Sequence, residues 1–163
     1  KSEIMKTINL NISIRYCQLD ELTGADLELI DHAMKATDNA YAEYSHFYVG
    51  AALRLANGRI VIGANQENAA FPSGLCAERT AVFSAQANFP DQSIESLALV
   101  ACNANGLVDS PVTPCGACRQ VLLGVEERYA HPMRVFMYGK SGVYIVDSVK
   151  DLLPLSFVDS SMK

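Results

Sequence analysis

The sequence predicts an α/β domain with three layers, α/β/α, around a mixed central sheet. Helical segments alternate with β-like runs along most of the chain. One pair of runs is joined by Asn57-Gly58, which predicts an antiparallel hairpin. The 163 residues, half of them apolar and 19% charged, fill a single globular core.

Taken in order, residues 6 to 16 alternate, with Ile8, Leu10, Ile12, Ile14 and Tyr16 on one side and Thr7, Asn9, Asn11, Ser13 and Arg15 on the other. That period predicts a strand. Met5 reads as an original start, so residues 1–4 carry no structural weight. Residues 1–20 are read as an N-terminal extension, an extra strand or an arm on a neighbouring subunit, and residues 21–163 as the main domain. From Thr23, the expected cap, Leu27, Ile30, Met34, Thr37 and Tyr41 recur at helical steps, predicting a helix that ends near Tyr44-Ser45. Residues 49–56 and 59–63 read as the hairpin strands, with Asn57-Gly58 suited to positive φ. After Pro72-Ser73-Gly74 an Ala-rich helix is predicted over 76–87, then a buried strand over 94–102. Pro111 and Pro114 bracket a loop before a third helix over 115–129. Short strands over 133–138 and 143–146 flank the turn 139–142, and a brief helical turn precedes Pro154.

Composition excludes several function classes. Thirteen basic against eighteen acidic side chains leave a net charge of −5, the wrong sign for a surface that displaces counterions from phosphates, so no polynucleotide partner is expected. The longest apolar stretch, residues 97–102, is too short to span a bilayer, and no charged segment followed by an apolar run opens the chain. No membrane association and no export are expected. Five cysteines, an odd number with two of them three apart, fit metal or redox chemistry in a reducing compartment, hence the cytoplasm.

The chemistry concentrates in two segments, Cys76-Ala77-Glu78-Arg79 and Pro114-Cys115-Gly116-Ala117-Cys118-Arg119-Gln120. Each follows a loop and opens a predicted helix, where unpaired N–H groups and the positive end of the dipole favour a thiolate. Cys115 and Cys118 share a helix face. Two such helix starts side by side would converge three sulfurs and leave one tetrahedral corner free, the ligand count of a catalytic zinc rather than a structural one. Glu78 is then placed to move protons beside the metal. A ligand, one residue and Glu, then Pro-Cys-x-x-Cys, matches the zinc deaminase signature, with Cys76 in place of the more usual His.

Two other readings compete. A redox Cys115-x-x-Cys118 pair leaves Cys76 and Glu78 unexplained. A structural zinc module that only binds a partner needs a fourth ligand, and Cys17, Cys102, His32, His46 and His131 all lack ligand spacing.

From about residue 41 to residue 157 the sequence resembles the zinc-dependent cytidine deaminases of the small, homotetrameric type. The resemblance is carried by Tyr44-Ser45-His46-Phe47, Val49-Gly50-Ala51-Ala52, Asn65-Gln66-Glu67-Asn68-Ala69, Cys76-Ala77-Glu78-Arg79-Thr80-Ala81, the Pro-Cys-Gly-Ala-Cys-Arg-Gln run and Leu152-Leu153-Pro154, in that order. It implies the cytidine-deaminase-like form of the α/β/α fold and one zinc per chain on Cys76, Cys115 and Cys118. It also implies hydrolysis of cytidine and 2′-deoxycytidine to uridine or deoxyuridine and ammonia, in pyrimidine salvage. Glu78 is the implied acid/base. Asn65 and Glu67 are implied to hold the ribose hydroxyls, Phe47 to pack on the pyrimidine, and the Ala77 N–H to reach the base carbonyl. Phe157 would be an aromatic supplied to a neighbouring subunit's site in a homotetramer. Arg79 would donate to the metal-bound sulfurs, offsetting the net −1 of three thiolates around Zn²⁺. Two positions depart from the pattern: Phe71 where Tyr is frequent, and Tyr48 where Pro or a small or polar residue is common. A runner-up substrate, an aminated heterocycle related to blasticidin, is disfavoured by Asn65-x-Glu67-Asn68, which suits a ribose.

Overall fold

The computed structural model describes residues 4–163; Lys1–Glu3, the first part of the expected extension, lie outside the described residues. The chain runs β1 (Arg15–Cys17), α1 (Gly24–Ala36), β2 (Tyr48–Leu55), β3 (Ile60–Ala64), α2 (Ala77–Asn88), β4 (Ile94–Asn103), β5 (Gly106–Leu107), α3 (Gly116–Tyr129), β6 (Arg134–Gly139) and β7 (Gly142–Val146). Seven strands form one sheet, six of them in the order β1-β7-β6-β4-β2-β3, with β5 paired to β4 off that path. The β4/β6 pair is parallel and the other pairs are antiparallel, so the sheet is mixed as expected.

Alternation along the central strands sends side chains to two cores. Ala51, Leu53, Leu97, Leu99, Val135 and Met137 face α2 and α3, while Ala52, Ala98, Val100 and Phe136 face Leu29, Ile30 and Ala33 of α1. Because both faces are covered, residues 49–53 of β2 and 97–102 of β4 read as unbroken apolar runs rather than alternating ones. These are the three predicted layers.

Two glycines set the helix-to-sheet distance. A Cβ on Gly50 would fall 2.0 Å from Ala33 O, and one on Gly63 would fall 2.5 Å from both Ala77 O and Ala81 N. The start of α2 therefore lies directly on β3, near its end. That contact fixes where Cys76 and Glu78 can stand.

Most predicted elements lie within two residues of the observed ones, but three expectations are corrected. The strand expected over 6–16 is confined to β1, which pairs with β7; residues 4–14 have no regular structure and their side chains are exposed. The helix expected to reach Tyr44-Ser45 ends at Ala36, followed by a single 3₁₀ turn, Thr37–Asn39. Tyr41 is instead drawn into the sheet's margin: its N–H donates to Asn65 O at 2.9 Å and its carbonyl accepts from Glu67 N at 2.8 Å. The buried stripe of α1 is accordingly Leu29, Ile30, Ala33 and Ala36, while Leu27 and Tyr41 are exposed, and Thr23 caps without a side-chain hydrogen bond. Finally, the β2–β3 hairpin closes with Leu55 N donating to Arg59 O, leaving a three-residue loop in which Gly58 alone has positive φ, +84°. Such a loop places glycine in the left-handed position and leaves Asn57 in an ordinary one.

Candidate active site

Cys76 and Cys115 occupy the N-cap positions of α2 and α3, each with extended backbone (φ −70°, ψ 156° and φ −66°, ψ 167°). Neither cap uses its side chain to bond the helix, so both sulfurs are free to turn toward each other. Cys76 Sγ lies 3.9 Å from Cys115 Sγ, and with Cys118 Sγ all three fall within 4.8 Å of one another. Tetrahedral zinc with Zn–S bonds of about 2.3 Å requires sulfurs about 3.8 Å apart, so this donor set fits the ion. All five cysteines are free thiols.

Among the described residues, no other His, Cys, Asp or Glu joins the cluster. The five alternatives lie elsewhere. Cys17 packs against the α1 core, Cys102 Sγ approaches Thr37 Oγ1, His32 Nδ1 contacts Glu28 O, and His131 Nε2 lies 3.4 Å from Glu95. His46 is exposed on its loop. A structural module with four protein ligands therefore lacks its fourth.

Charge around the sulfurs favours a metal site. The Cys118 thiol as hydrogen-bond partner, with Arg79 assisting against the opposing effect of burial, pulls the Cys76 thiol down to about 5. Arg79 Nη2 donates to Cys76 Sγ at 3.5 Å, and Arg79 Nε is buried without a protein partner. That placement suits a guanidinium set against an anionic thiolate cluster. Glu78, on the first turn of α2, is only 4% exposed, and burial pushes its carboxyl above the usual carboxylate range, with the Cys76 charge adding to the rise.

A cavity of about 380 Å³ opens on this cluster, within the range that holds a small organic ligand. Phe47, Asn65, Glu67, Cys76, Ala77, Glu78 and Cys115 all line it. Cys118 is fully buried behind the wall. Ala77 is the first residue of α2, so its N–H lies outside the helix's own ladder and is available to a ligand.

The two polar residues assigned to the sugar also build the wall. Asn65 Oδ1 accepts from Val49 N at 2.8 Å and its Nδ2 donates to Phe47 O at 2.9 Å, leaving one amide hydrogen for a ligand. Glu67 Oε2 accepts from the N–H groups of Tyr44 and Ser45 at 2.8 and 3.1 Å, and Oε1 accepts from the Ser45 hydroxyl. These bonds, the Ser45 hydroxyl above all, hold the Glu67 carboxyl below its usual range, although desolvation opposes them.

Phe157 stands apart from this cavity. Its ring is 60% exposed beside Gln120, whose side chain donates to Phe157 O at 2.9 Å. Within one chain it does not reach the cluster. Phe71 is also exposed and packs edge-on against Tyr44, with ring centroids 5.5 Å apart.

Sequence reasoning missed several contributors. Val49, Leu75, Val112 and Thr113 line the cavity. Arg119 donates to Pro114 O and Leu152 O, each at 2.7 Å, and to Thr113 Oγ1 at 3.2 Å, tying the loop that bears Cys115 to the C-terminal segment. A basic residue immediately after the second cysteine of the pair was the available signal.

Comparison with known proteins agrees with this geometry. Residues 24–130 match the family model described as the cytidine and deoxycytidylate deaminase zinc-binding region. The chain is 38% identical over 134 residues to a cytidine deaminase of Halalkalibacterium halodurans, covering 82% of this chain and 95% of the relative. It is 41% identical over 130 residues to one of Sporosarcina psychrophila, covering 80% and 89%. The crystal structure of a cytidine deaminase from Burkholderia pseudomallei superposes with a TM-score of 0.69 at 38% identity, covering 80% of this chain and 97% of that one. By sequence, by fold and by the sulfur cluster at the head of its two helices, the chain belongs to the zinc-binding cytidine and deoxycytidylate deaminase family.

Proposed function

We propose that this enzyme hydrolyses the exocyclic amine of cytidine, and of 2′-deoxycytidine, giving uridine or deoxyuridine and ammonia as a step of pyrimidine salvage in the cytoplasm. One observation carries the reading: three sulfurs within 4.8 Å of one another meet a ligand-sized cavity that the buried Glu78 also lines. Cys76, Cys115 and Cys118 would hold one zinc, which supplies a water acidic enough to serve as nucleophile at neutral pH. Among the described residues no helix is long and apolar enough to cross a membrane.

Each residue has a role in this reading. Glu78 takes the proton released by the attacking water, delivers it to N3 of the base, and serves the departing amino group in turn. Its raised pKa suits the step in which it takes a proton, because a carboxylate poised nearer neutrality is the stronger base. The Ala77 N–H meets the base carbonyl, and Phe47 stacks on the pyrimidine. The remaining Asn65 amide hydrogen and the Glu67 carboxylate take the ribose hydroxyls; bare cytosine would leave them unpaired and would be rejected. Arg79 offsets the net negative charge of the thiolate cluster.

The exposure of Phe157 and its distance from its own chain's cavity support its delivery to a neighbouring subunit in a homotetramer with sites at the subunit interfaces. Residues 21–163 form the catalytic domain, and residues 1–20 form an extension to it.

Zinc content per chain, measured on the same sample as the ultraviolet change on adding cytidine, deoxycytidine, cytosine and cytidine monophosphate, tests the reading. One zinc with conversion of both nucleosides supports it. Zinc without conversion of either nucleoside contradicts it.

A further inference from the structure

Ser45 lines the cavity together with Glu67, which is assigned to the ribose, and Phe47, which is assigned to the pyrimidine. Its hydroxyl serves both of them. Oγ donates its one proton to Glu67 Oε1 and accepts from Phe47 N at 3.1 Å, which uses a serine's single donor and one of its lone pairs. The N–H of the same residue donates to Glu67 Oε2 at 3.1 Å. Ser45 therefore grips both oxygens of the carboxylate.

Between Ser45 and Phe47 the chain turns through His46, a residue other than glycine at φ +53°. Backbone of that kind is costly for a residue with a Cβ and persists where the surrounding bonds hold it. The bond from Phe47 N to Ser45 Oγ spans this residue, as in a turn closed by a serine hydroxyl. Phe47 is held on its other side as well, because its carbonyl accepts from Asn65 Nδ2 at 2.9 Å. The residue that meets the base is thus fastened to both sugar residues, directly to Asn65 and through Ser45 to Glu67. Neither the metal centre nor the proton transfers use Ser45.

We propose that Ser45 is a positioning residue whose hydroxyl sets the Glu67 carboxylate and the Phe47 ring in one register, so that sugar and base are received together. This role deepens the proposed function and rests on the assignment of Glu67 to the ribose. Oε1 keeps a second lone pair beside the Ser45 bond, which a ribose hydroxyl can use. The Ser45 hydroxyl is also the chief cause that holds the Glu67 carboxyl below its usual range, which keeps it in the form that only accepts. Contacts of this kind are made alike in the bound nucleoside and in the transition state, so their loss falls on binding.

Steady-state kinetics of the zinc-loaded full chain with cytidine test the role. Ser45→Ala should raise KM about tenfold, the worth of one hydrogen bond to a charged group, and leave kcat within about twofold of the parent. Because Ser45 is exposed, the thermal midpoint should not move. Ser45→Thr keeps the hydroxyl and should hold KM within about twofold of the parent. In a Glu67→Gln background, where KM is already raised, Ser45→Ala should add no more than about threefold, since most of its effect passes through the carboxylate. A KM unchanged by Ser45→Ala but raised by Glu67→Gln overturns the role of Ser45 and leaves the ribose assignment standing; a KM unchanged by either overturns both. The full rise persisting beside Glu67→Gln, a threonine variant as impaired as the alanine, or a fall in kcat that matches the rise in KM overturns the role as well.

Discussion

Arg79 and Cys76 meet one turn apart on α2, with the guanidinium Nη2 3.5 Å from the sulfur. Three thiolates around a divalent cation leave one negative charge, and a cation this close offsets it. Arg79→Gln removes that offset while keeping a polar side chain. Partners that orient and charge-balance metal ligands are commonly worth about 10–100-fold in metal affinity or activity. Competition for zinc with a chromophoric chelator, together with kcat for cytidine, should fall within that span; unchanged values in both would remove Arg79 from the metal site.

Glu78→Gln keeps the shape of the cavity but cannot carry a proton. Turnover of cytidine should drop by about 10²–10⁴-fold, the usual worth of a positioned acid/base, with one zinc per chain retained. Deamination at the wild-type rate would mean that another group moves the proton.

Gly63 is the position on β3 where α2 comes to rest. An alanine there would put its Cβ 2.5 Å from Ala77 O and Ala81 N, both backbone atoms that cannot swing aside. Overpacking of this kind costs about 1–3 kcal/mol. Urea denaturation of Gly63→Ala should show that loss, and zinc affinity should weaken with it because Cys76 rides on the displaced helix. A variant as stable and as tightly metallated as the parent would show that the contact can relax.

Glu67 links pH to the loop before Phe47. Its pKa lies below the ordinary value, chiefly through the Ser45 hydroxyl, so the bonds its carboxylate makes are complete above that value. They are lost only as pH falls through the lowered one. In a Glu78→Gln background, which removes the other cavity carboxyl, the dissociation constant of uridine should stay flat down through the ordinary carboxylate range. Weakening within that range would show that the Glu67 carboxyl is not held below its usual value.

The metal centre was legible because its chemistry dictates spacing. Cys76, Glu78, Cys115 and Cys118 had to sit at helix starts, and loop-breaking prolines and glycines marked those starts. What remained hidden depended on partners distant in sequence. The alternation of residues 6–16 records an amphipathic surface, yet only Arg15–Cys17 find a partner strand within the chain. The end of α1 turned on Tyr41 finding backbone partners at Asn65 and Glu67, which no helical period reveals. Asn65 looked like a ligand-binding amide, but most of its hydrogen-bonding capacity holds the Phe47 and Val49 backbone. Glu126 carries no motif that marks it in the sequence. It is 4% exposed and accepts from Met133 N and Val149 N, each at 2.7 Å, and from the Ser148 hydroxyl, fastening α3 to the strands that follow it.

Zinc-edge X-ray absorption on the purified protein tests the central claim most directly. Three sulfur scatterers at about 2.3 Å and one oxygen or nitrogen scatterer are predicted, with one sulfur lost in each of Cys76→Ala, Cys115→Ala and Cys118→Ala. A fourth sulfur in the native spectrum, or a sulfur count indifferent to these substitutions, would contradict it.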